Sequence, residues 1–220
     1  MKQLTKTPLT TKPLTTNEAS MKKKLNSKLS NTLSCALLLT AATFAGTAQA
    51  NSFEANLNND TVQAEIDLHI PNTQNLYVNA SMLYTEEQSD HSAIVGAIGV
   101  QGVEASSSTY RAAVGGRLYY YDYGRFDGSA LALGGLFYHV LPGATRFSAG
   151  GYAWFAPKVT SFGDTEQVIE LGGRLAFRVI QNTDIFVGYR HLRIKNNKFN
   201  SRSFNDALEK GFNAGFRLNF

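Results

Sequence analysis

Apolar and polar residues alternate with a period of two along much of the chain after residue 51. Apolar side chains occupy every second position from Leu76 to Tyr84 and from Phe212 to Phe220, with polar or small residues between them. Successive side chains of a β-strand point to opposite faces, so each segment has one apolar and one polar face. The alternation predicts strands at residues 51–58, 61–69, 74–84, 91–101, 108–121, 127–140, 145–156, 165–179, 184–195 and 209–220.

Two all-β architectures produce this pattern. A soluble sandwich or barrel turns the apolar face inward, whereas an outer-membrane barrel turns it toward lipid and keeps the polar face in the lumen. Crossing a bilayer at a tilt takes about 9–11 strand residues, which the predicted segments supply. We therefore predict an antiparallel transmembrane β-barrel of about ten strands. Eight is the alternative if residues 51–69 form one strand or residues 91–121 pair differently.

The breaks between predicted strands alternate in length, as periplasmic turns and extracellular loops do. The short breaks are residues 71–73, 141–143 and 181–183, and the longer ones are residues 85–91, 157–165 and 196–208.

The first fifty residues have the composition of an export leader. From Met21, a basic stretch precedes an apolar run near residues 36–45 and then Ala48-Gln49-Ala50. This order predicts a signal peptide cleaved after Ala50, with Ala48 and Ala50 as the small residues of the cleavage site. The only cysteine, Cys35, precedes the apolar run, which disfavours a lipoprotein. We expect a polar extension at residues 1–20, a signal peptide at 21–50 and the barrel at 51–220. The extension is part of the protein if translation starts at Met1, and it lies upstream of the true start if translation starts at Met21.

The net charge of +4 comes from the leader. Residues 1–50 carry seven lysines and one glutamate, a net charge of +6. The other 14 basic and 16 acidic residues leave residues 51–220 at −2. A slightly acidic mature chain argues against a nucleic-acid partner. We instead predict the cell outer membrane as the location, with its lipid and lipopolysaccharide as partners.

Aromatic residues and lysines are placed as in a membrane barrel. Aromatic clusters near predicted strand ends, such as residues 119–123 and 152–155, are typical of interfacial girdles. All four lysines after residue 50 lie in predicted loops or at strand ends. The last strand ends with Phe216, Leu218 and Phe220, and it resembles the signal read by the outer-membrane assembly machinery. We expect that machinery to bind this strand.

The polar faces of the predicted strands collect charges that point into the lumen. Unpaired buried charge is costly, so we expect an arginine–carboxylate network that fills the barrel. The alternative is a narrow pore in which an excess of arginine favours anions. The polar face also carries Glu54. The predicted network comprises Glu65, Asp67, Arg111, Arg117, Arg146, Glu170, Arg174, Arg178, Arg190 and Arg217.

Two other sequence features have a structural and a functional interpretation. Glycine pairs recur in four strands, at residues 115–116, 134–135, 150–151 and 172–173, where we expect them to relieve crowding. Their functional interpretation is a slot for a ligand or acyl chain. The basic loop near residues 190–210 is either a solvated loop or a site where Lys195, Lys198 and Arg202 neutralise lipopolysaccharide phosphates.

The sequence offers little for catalysis. The four histidines fall on different strands or strand ends, and Glu166 and Glu170 share one strand with both side chains expected inward. Neither pattern supplies a positioned base and nucleophile, and no His, Asp and Glu lie at metal-ligand spacing. We expect no enzymatic activity, no cofactor and no metal. A lipid-modifying or hydrolytic outer-membrane enzyme is the remaining alternative.

Four segments resemble one known family. They are Leu-Ala-Leu-Gly-Gly at 131–135, Gly-Tyr-Ala-Trp-Phe-Ala-Pro at 151–157, Val-Gly-Tyr-Arg at 187–190 and Gly-Phe-Arg-Leu-Asn-Phe at 215–220. In this order and spacing they resemble the YfaZ family of small Gram-negative outer-membrane proteins. The resemblance implies a barrel porter or surface protein and gives no catalytic residues. We therefore predict a small outer-membrane barrel with a structural or surface role.

Overall fold

The computed structural model describes residues 51–86, 92–104, 109–123, 126–196 and 208–220. No helix within those ranges is long and apolar enough to cross a membrane. The predictions for the leader, including cleavage at Ala48 and Ala50, lie outside the described residues, as do those for Lys198 and Arg202.

Ten long strands of the described residues form one closed antiparallel barrel. Each pairs with its neighbours in the chain, β7 pairs with β9, and β11 pairs with β1 to close the ring. A short strand, β8, extends the edge of β6 after a turn of 3₁₀ helix at Lys158–Thr160. The strands are β1 Ser52–Leu57, β2 Thr61–His69, β3 Leu76–Glu86, β4 Ser92–Glu104, β5 Tyr110–Tyr123, β6 Phe126–Val140, β7 Phe147–Ala156, β8 Ser161–Gly163, β9 Thr165–Ile180, β10 Thr183–Asn196 and β11 Glu209–Asn219.

The predicted all-β barrel is therefore confirmed, and the strand number is ten. The alternative of eight is wrong because residues 51–69 form two strands, β1 and β2, which pair with each other across a turn at residues 58–60. Residues 92–123 likewise form the hairpin partners β4 and β5.

The two chain ends of the barrel lie side by side, and Asn51 and Phe220 exchange backbone hydrogen bonds of 2.8 and 2.9 Å. We call this the terminal end. It also carries the short turns, two of which place Asn72 and Gly143 after a proline with φ of 63° and 78°. Proline followed by a residue with positive φ is the signature of a type II turn. The opposite end, the loop end, carries the longer connections together with the short turn at residues 58–60.

The outer face of the barrel is apolar between two zones of aromatic rings. Val114 and Leu133, in the middle of their strands, are 73% and 70% exposed. Tyr120 and Phe155 are exposed near the loop ends of β5 and β7. Ring contacts near the terminal end join Tyr110 to Phe137 and Phe147 to Phe177. An apolar band between aromatic girdles is the surface that a membrane barrel presents to lipid.

Candidate functional site in the lumen

Inward-facing side chains of β1 and β2 hold the first part of a charged cluster, which we call the lumen network. The Oε2 of Glu54 accepts a hydrogen bond of 2.6 Å from the Nη1 of Arg174 and lies 3.4 Å from the Nε of Arg217. Arg217 also reaches Asp67 at 3.3 Å, and Arg111 reaches the same oxygen at 3.5 Å. Two carboxylates thus hold three arginines that come from β5, β9 and β11.

Amide side chains connect the carboxylates of β2 to one another. Asn79 donates to both Glu65 and Asp67, each at 2.8 Å, and Gln101 donates to Asp67 at 3.0 Å. Glu65 in turn accepts Arg117 at 2.8 Å. Every one of these groups lies on an inward position of its strand, so the network is continuous across β2, β3, β4 and β5.

Arg190 organises the part of the network nearer the loop end. Its Nη1 lies 3.2 Å from Glu209 and its Nε donates to the Tyr152 hydroxyl at 2.8 Å. The same Nε lies 3.7 Å from the Oε1 of Glu170. The other carboxylate oxygen of Glu170 accepts a hydrogen bond of 2.5 Å from the Tyr119 hydroxyl. Arg190 is only 4% exposed, so a guanidinium in this position needs the two carboxylates to compensate its burial.

The lumen network is balanced in charge. Among the described residues it contains five arginines and five carboxylates, so the expected excess of arginine is not present. The members are Glu54, Glu65, Asp67, Arg111, Arg117, Glu170, Arg174, Arg190, Glu209 and Arg217.

The difference from the predicted set has simple positional causes. Arg178 lies at the terminal-end rim, where it pairs with Asp184 at 3.4 Å and its side chain is 51% exposed. Arg146 is exposed in the turn before β7. Glu209 belongs to the network but was not in the predicted set, whereas Glu54 pairs there as expected for the polar face. Glu209 shares its inward parity with Arg217 on the same strand, and that signal was available in the sequence.

Aromatic rings complete the packing around the guanidinium groups. Arg117 stacks on Trp154 at 4.4 Å, and Arg174 lies between Tyr138 and Phe186 at 4.4 and 4.8 Å. Trp154 is 1% exposed. The assignment of aromatic clusters to girdles is therefore wrong for the members that alternate inward, namely Tyr119, Tyr121, Tyr152 and Trp154, and correct for exposed neighbours such as Tyr120 and Phe155.

Apolar side chains fill the lumen toward the loop end. They form one contiguous buried cluster, which we call the apolar plug, and its outermost members flank the loop-end connections of β3–β4, β5–β6 and β7–β9. Its members are Leu83, Val95, Ala97, Tyr119, Tyr121, Ala130, Ala132, Trp154, Ala156, Val168, Leu192 and Ile194. Polar side chains complete this end on the β1, β2 and β11 side, where Gln63 and Glu209 are each 4% exposed and Thr61 hydrogen-bonds to Thr85.

A small cavity lies within the lumen network. About 20 Å³ is open to the centre of a water-sized sphere, which is room for roughly one water molecule. Its walls include Glu54, Glu65, Arg117, Arg174 and Arg190. The walls of this cavity are therefore side chains that pair with one another in the lumen network.

Two glycines show why the lumen needs residues without a side chain. A Cβ on Gly134 would lie 2.7 Å from the Trp154 ring, and one on Gly172 would overlap the Tyr152 ring. The space above each glycine is therefore already occupied by an aromatic side chain of the lumen. This packing agrees with relief of crowding and leaves no slot for an acyl chain at these positions.

A β-bulge separates the two glutamates that were expected to point inward together. The pairing of β9 with β10 shifts register between Lys195 and Asn196, and such a shift re-aims a side chain. Glu166 contacts Lys195 at 2.9 Å and Lys158 at 3.2 Å, whereas Glu170 lies in the lumen network. The expectation for Glu166 is wrong. Glu166 is the extra residue of the bulge, between Thr165 and Gln167, and a strict alternation of faces along the sequence does not reveal a bulge.

The remaining predicted positions fall on the surface. Phe216, Leu218 and Phe220 lie on the outer face of β11, each between 36% and 39% exposed. Lys158, Lys195 and Lys210 lie in the 3₁₀ turn or within two residues of a strand end, as predicted. In the part of the chain that the structure describes, no three His, Cys, Asp or Glu side chains are grouped to hold a metal ion.

Comparison with solved structures finds weak similarity to membrane proteins. A "Bacterial polysaccharide outer membrane secretin" is 15% identical, with a TM-score of 0.39 over 73% of this chain. This chain spans 55% of the length of that secretin. A "KdgM porin" is 10% identical, with a TM-score of 0.40 over 78% of this chain and 99% of the porin. No curated protein matches the chain.

The comparison with protein families is specific. The family described as "YfaZ precursor" matches residues 28–220, which include the end of the predicted leader and the whole barrel. The word precursor agrees with a signal peptide. This chain belongs to the YfaZ family.

Proposed function

We propose that this protein is a closed barrel of the bacterial outer membrane with a structural or surface role, and that its lumen does not conduct solutes. The proposal rests on the observation that two kinds of side chain, apolar and charged, fill the lumen. The apolar plug lies in the loop-end part of the interior on strands β3 to β10, and the charge-balanced lumen network lies in the middle and reaches the loop end at Glu209, which pairs with Leu192.

The network supports this role over a pore. A conducting pore needs sites that bind an ion and release it. Here the five arginines are held by carboxylates at 2.6–3.7 Å, and the cavity that they line measures about 20 Å³. The apolar plug also excludes hydrated ions, because an ion that sheds water in apolar surroundings pays a large free-energy cost. Both parts therefore support a closed lumen.

A catalytic role has less support than a structural one. The inward carboxylates that would supply an acid or a base, Glu65, Asp67 and Glu170, are engaged by arginine, amide or tyrosine donors. We propose that the protein is not an enzyme, and an assay of purified barrel for lipid hydrolysis or lipid A acylation tests this. Turnover above that of a heat-unfolded sample would contradict it.

The aromatic girdles, the family and the predicted leader support the outer-membrane location that we propose. We propose that β11, with Phe216, Leu218 and Phe220 outward, is the strand that the assembly machinery binds. Fractionation of cells with a gel run before and after boiling tests both statements. We expect an outer-membrane band whose migration changes on boiling, and a soluble periplasmic species would contradict the location.

Conductance in planar bilayers tests whether the lumen is closed. We expect no open-channel steps from the wild type, and none from Arg174→Ala, because the apolar plug closes the loop end independently of Arg174. Arg178→Ala is the matched control, since Arg178 lies at the exposed rim. Large steps from the wild type would overturn the closed lumen, and steps from Arg174→Ala alone would show that the plug does not seal it.

A further inference from the structure

The outer face of β10 and β11 changes character along the strands. Successive outward residues form register pairs that run from Ile185–Phe216 through Val187–Ala214 to Tyr189–Phe212, all apolar or aromatic. The next outward pair toward the loop end is His191–Lys210, followed on β10 by Arg193 and Lys195. The apolar surface thus gives way to a cationic one within a single step.

The position of this step matches the edge of the bilayer. Outward residues two apart lie about 6.6 Å from each other along a strand, so His191 and Lys210 lie one such step beyond the Tyr189–Phe212 ring contact at 5.4 Å. The headgroup layer on each side of the hydrocarbon is about 5–7 Å thick. Arg193 is the fourth residue from the loop end of β10, as Tyr120 is on β5. The cationic residues therefore lie at the level of the lipid headgroups.

The charges of these residues are not compensated within the described protein. Glu166 is held by Lys195 and Lys158, and no carboxylate of the described residues pairs with Arg193 or Lys210. The Nε of Arg193 is buried and has no hydrogen-bond partner in those same ranges. His191 on β10 and Lys210 on β11 occupy directly paired positions. Their two basic side chains therefore lie close together, which costs free energy when both are charged.

We propose that Arg193 and Lys210, with His191 between them as an N–H donor, form a binding site for the phosphate of a phosphorylated glycolipid in the outer leaflet. Arginine and lysine form charge-assisted hydrogen bonds with phosphate oxygens, and the apolar face below accommodates the acyl chains. The proposal rests on the outer-membrane location stated above. It moves the lipopolysaccharide contact predicted at Lys195 one step toward the membrane, because Lys195 is already in an ion pair with Glu166.

Binding of diphosphoryl lipid A to the purified barrel in detergent tests the proposal. We expect the double variant Arg193→Gln with Lys210→Gln to bind at least about tenfold more weakly, because each lost charge-assisted hydrogen bond costs more than a neutral one. The exchange Arg193→Lys with Lys210→Arg retains both charges, so we expect it to retain most of the affinity. Lys158→Gln is the matched control, an exposed lysine at the same end whose partner is Glu166, and we expect wild-type binding.

Two ligand controls distinguish a lipid site from a soluble anion site. We expect dephosphorylated lipid A to bind the wild type no better than the double variant does, and millimolar inorganic phosphate to leave lipid binding unchanged. Equal binding by the double variant and the wild type would overturn the proposal, and so would competition by inorganic phosphate. The boiling-dependent gel shift and the conductance recordings of the same variants report the fold and the closed lumen separately. A failure of lipid binding is therefore distinct from a failure of the proposed function.

Discussion

The lumen network and the apolar plug fill one barrel by opposite means. The network buries charges and compensates each with a partner on another strand, as when Arg190 meets Glu170 and Glu209. The plug buries apolar groups such as Leu192, which lies two residues further along the same strand and is 2% exposed. Strand β10 therefore contributes to both, and the two zones differ in what happens when one member is lost.

The physical reason is the range of the interactions. A buried charge without its partner retains its desolvation cost, so removal of one ion affects every group that it compensated. An apolar side chain contributes through its own transfer and packing, and its removal leaves a cavity of local extent. The network should respond to substitution as a unit, and the plug should respond residue by residue.

The largest expected effect is Arg190→Ala. It leaves Glu170 and Glu209 buried without their shared cation, so we expect a loss of about 4 kcal/mol in the free energy of unfolding. Urea unfolding from detergent micelles, followed by the fluorescence of the single tryptophan, Trp154, measures it. Arg178→Ala, at the exposed rim, should have a small effect. A loss from Arg190→Ala no larger than that of Arg178→Ala would refute the account of the network.

A double variant sharpens the comparison. In Arg190→Ala with Glu209→Gln, one of the unpaired charges is gone, so we expect part of the lost stability to return and the two changes to be strongly non-additive. The matched pair in the plug is Leu192→Ala with Val95→Ala, for which we expect near additivity. Additive behaviour of the network pair would show that its members act independently.

The next largest effect is expected from Leu192→Ala in the plug. Truncation of a buried leucine costs about 3 kcal/mol through lost transfer free energy and the remaining cavity. The same urea titration measures it, and Leu133→Ala on the lipid-facing surface is the control, since Leu133 is 70% exposed. An effect equal to that of the control would show that the interior at Leu192 is loosely packed.

The smallest of these effects is expected from Gly172→Ala. The new methyl would overlap the Tyr152 ring, which must move away from Arg190, and overpacking of this kind costs about 2 kcal/mol. Gly96→Ala is the control because nothing lies within 4 Å of its Cβ position. Equal stability of the two variants would mean that Tyr152 can relocate without disturbing the network.

Much of the barrel could be predicted from local pattern because strand geometry is local. Alternation located all ten strands to within about three residues, and it correctly assigned Leu76–Tyr84 and Phe212–Phe220 an outward apolar face. It also placed nine of the ten network residues of the described ranges on the polar face, Glu54 included, since inward parity follows from counting along a strand. The same counting would have found Glu209.

The sequence by itself determined the export leader as a prediction, the family, the strand pattern and the face on which most side chains lie, with Glu166 as an exception. Only the tertiary structure decided which inward residues meet. Arg217 reaches Asp67 across 150 positions of the chain, and Arg190 lies 3.4 Å from Asn56 across 134. Such contacts depend on the stagger between strands when the barrel closes, and no period along one strand encodes that stagger. The tertiary structure also decided the bulge opposite Lys195 and the positions of the plug and the network, because both depend on how neighbouring strands pair.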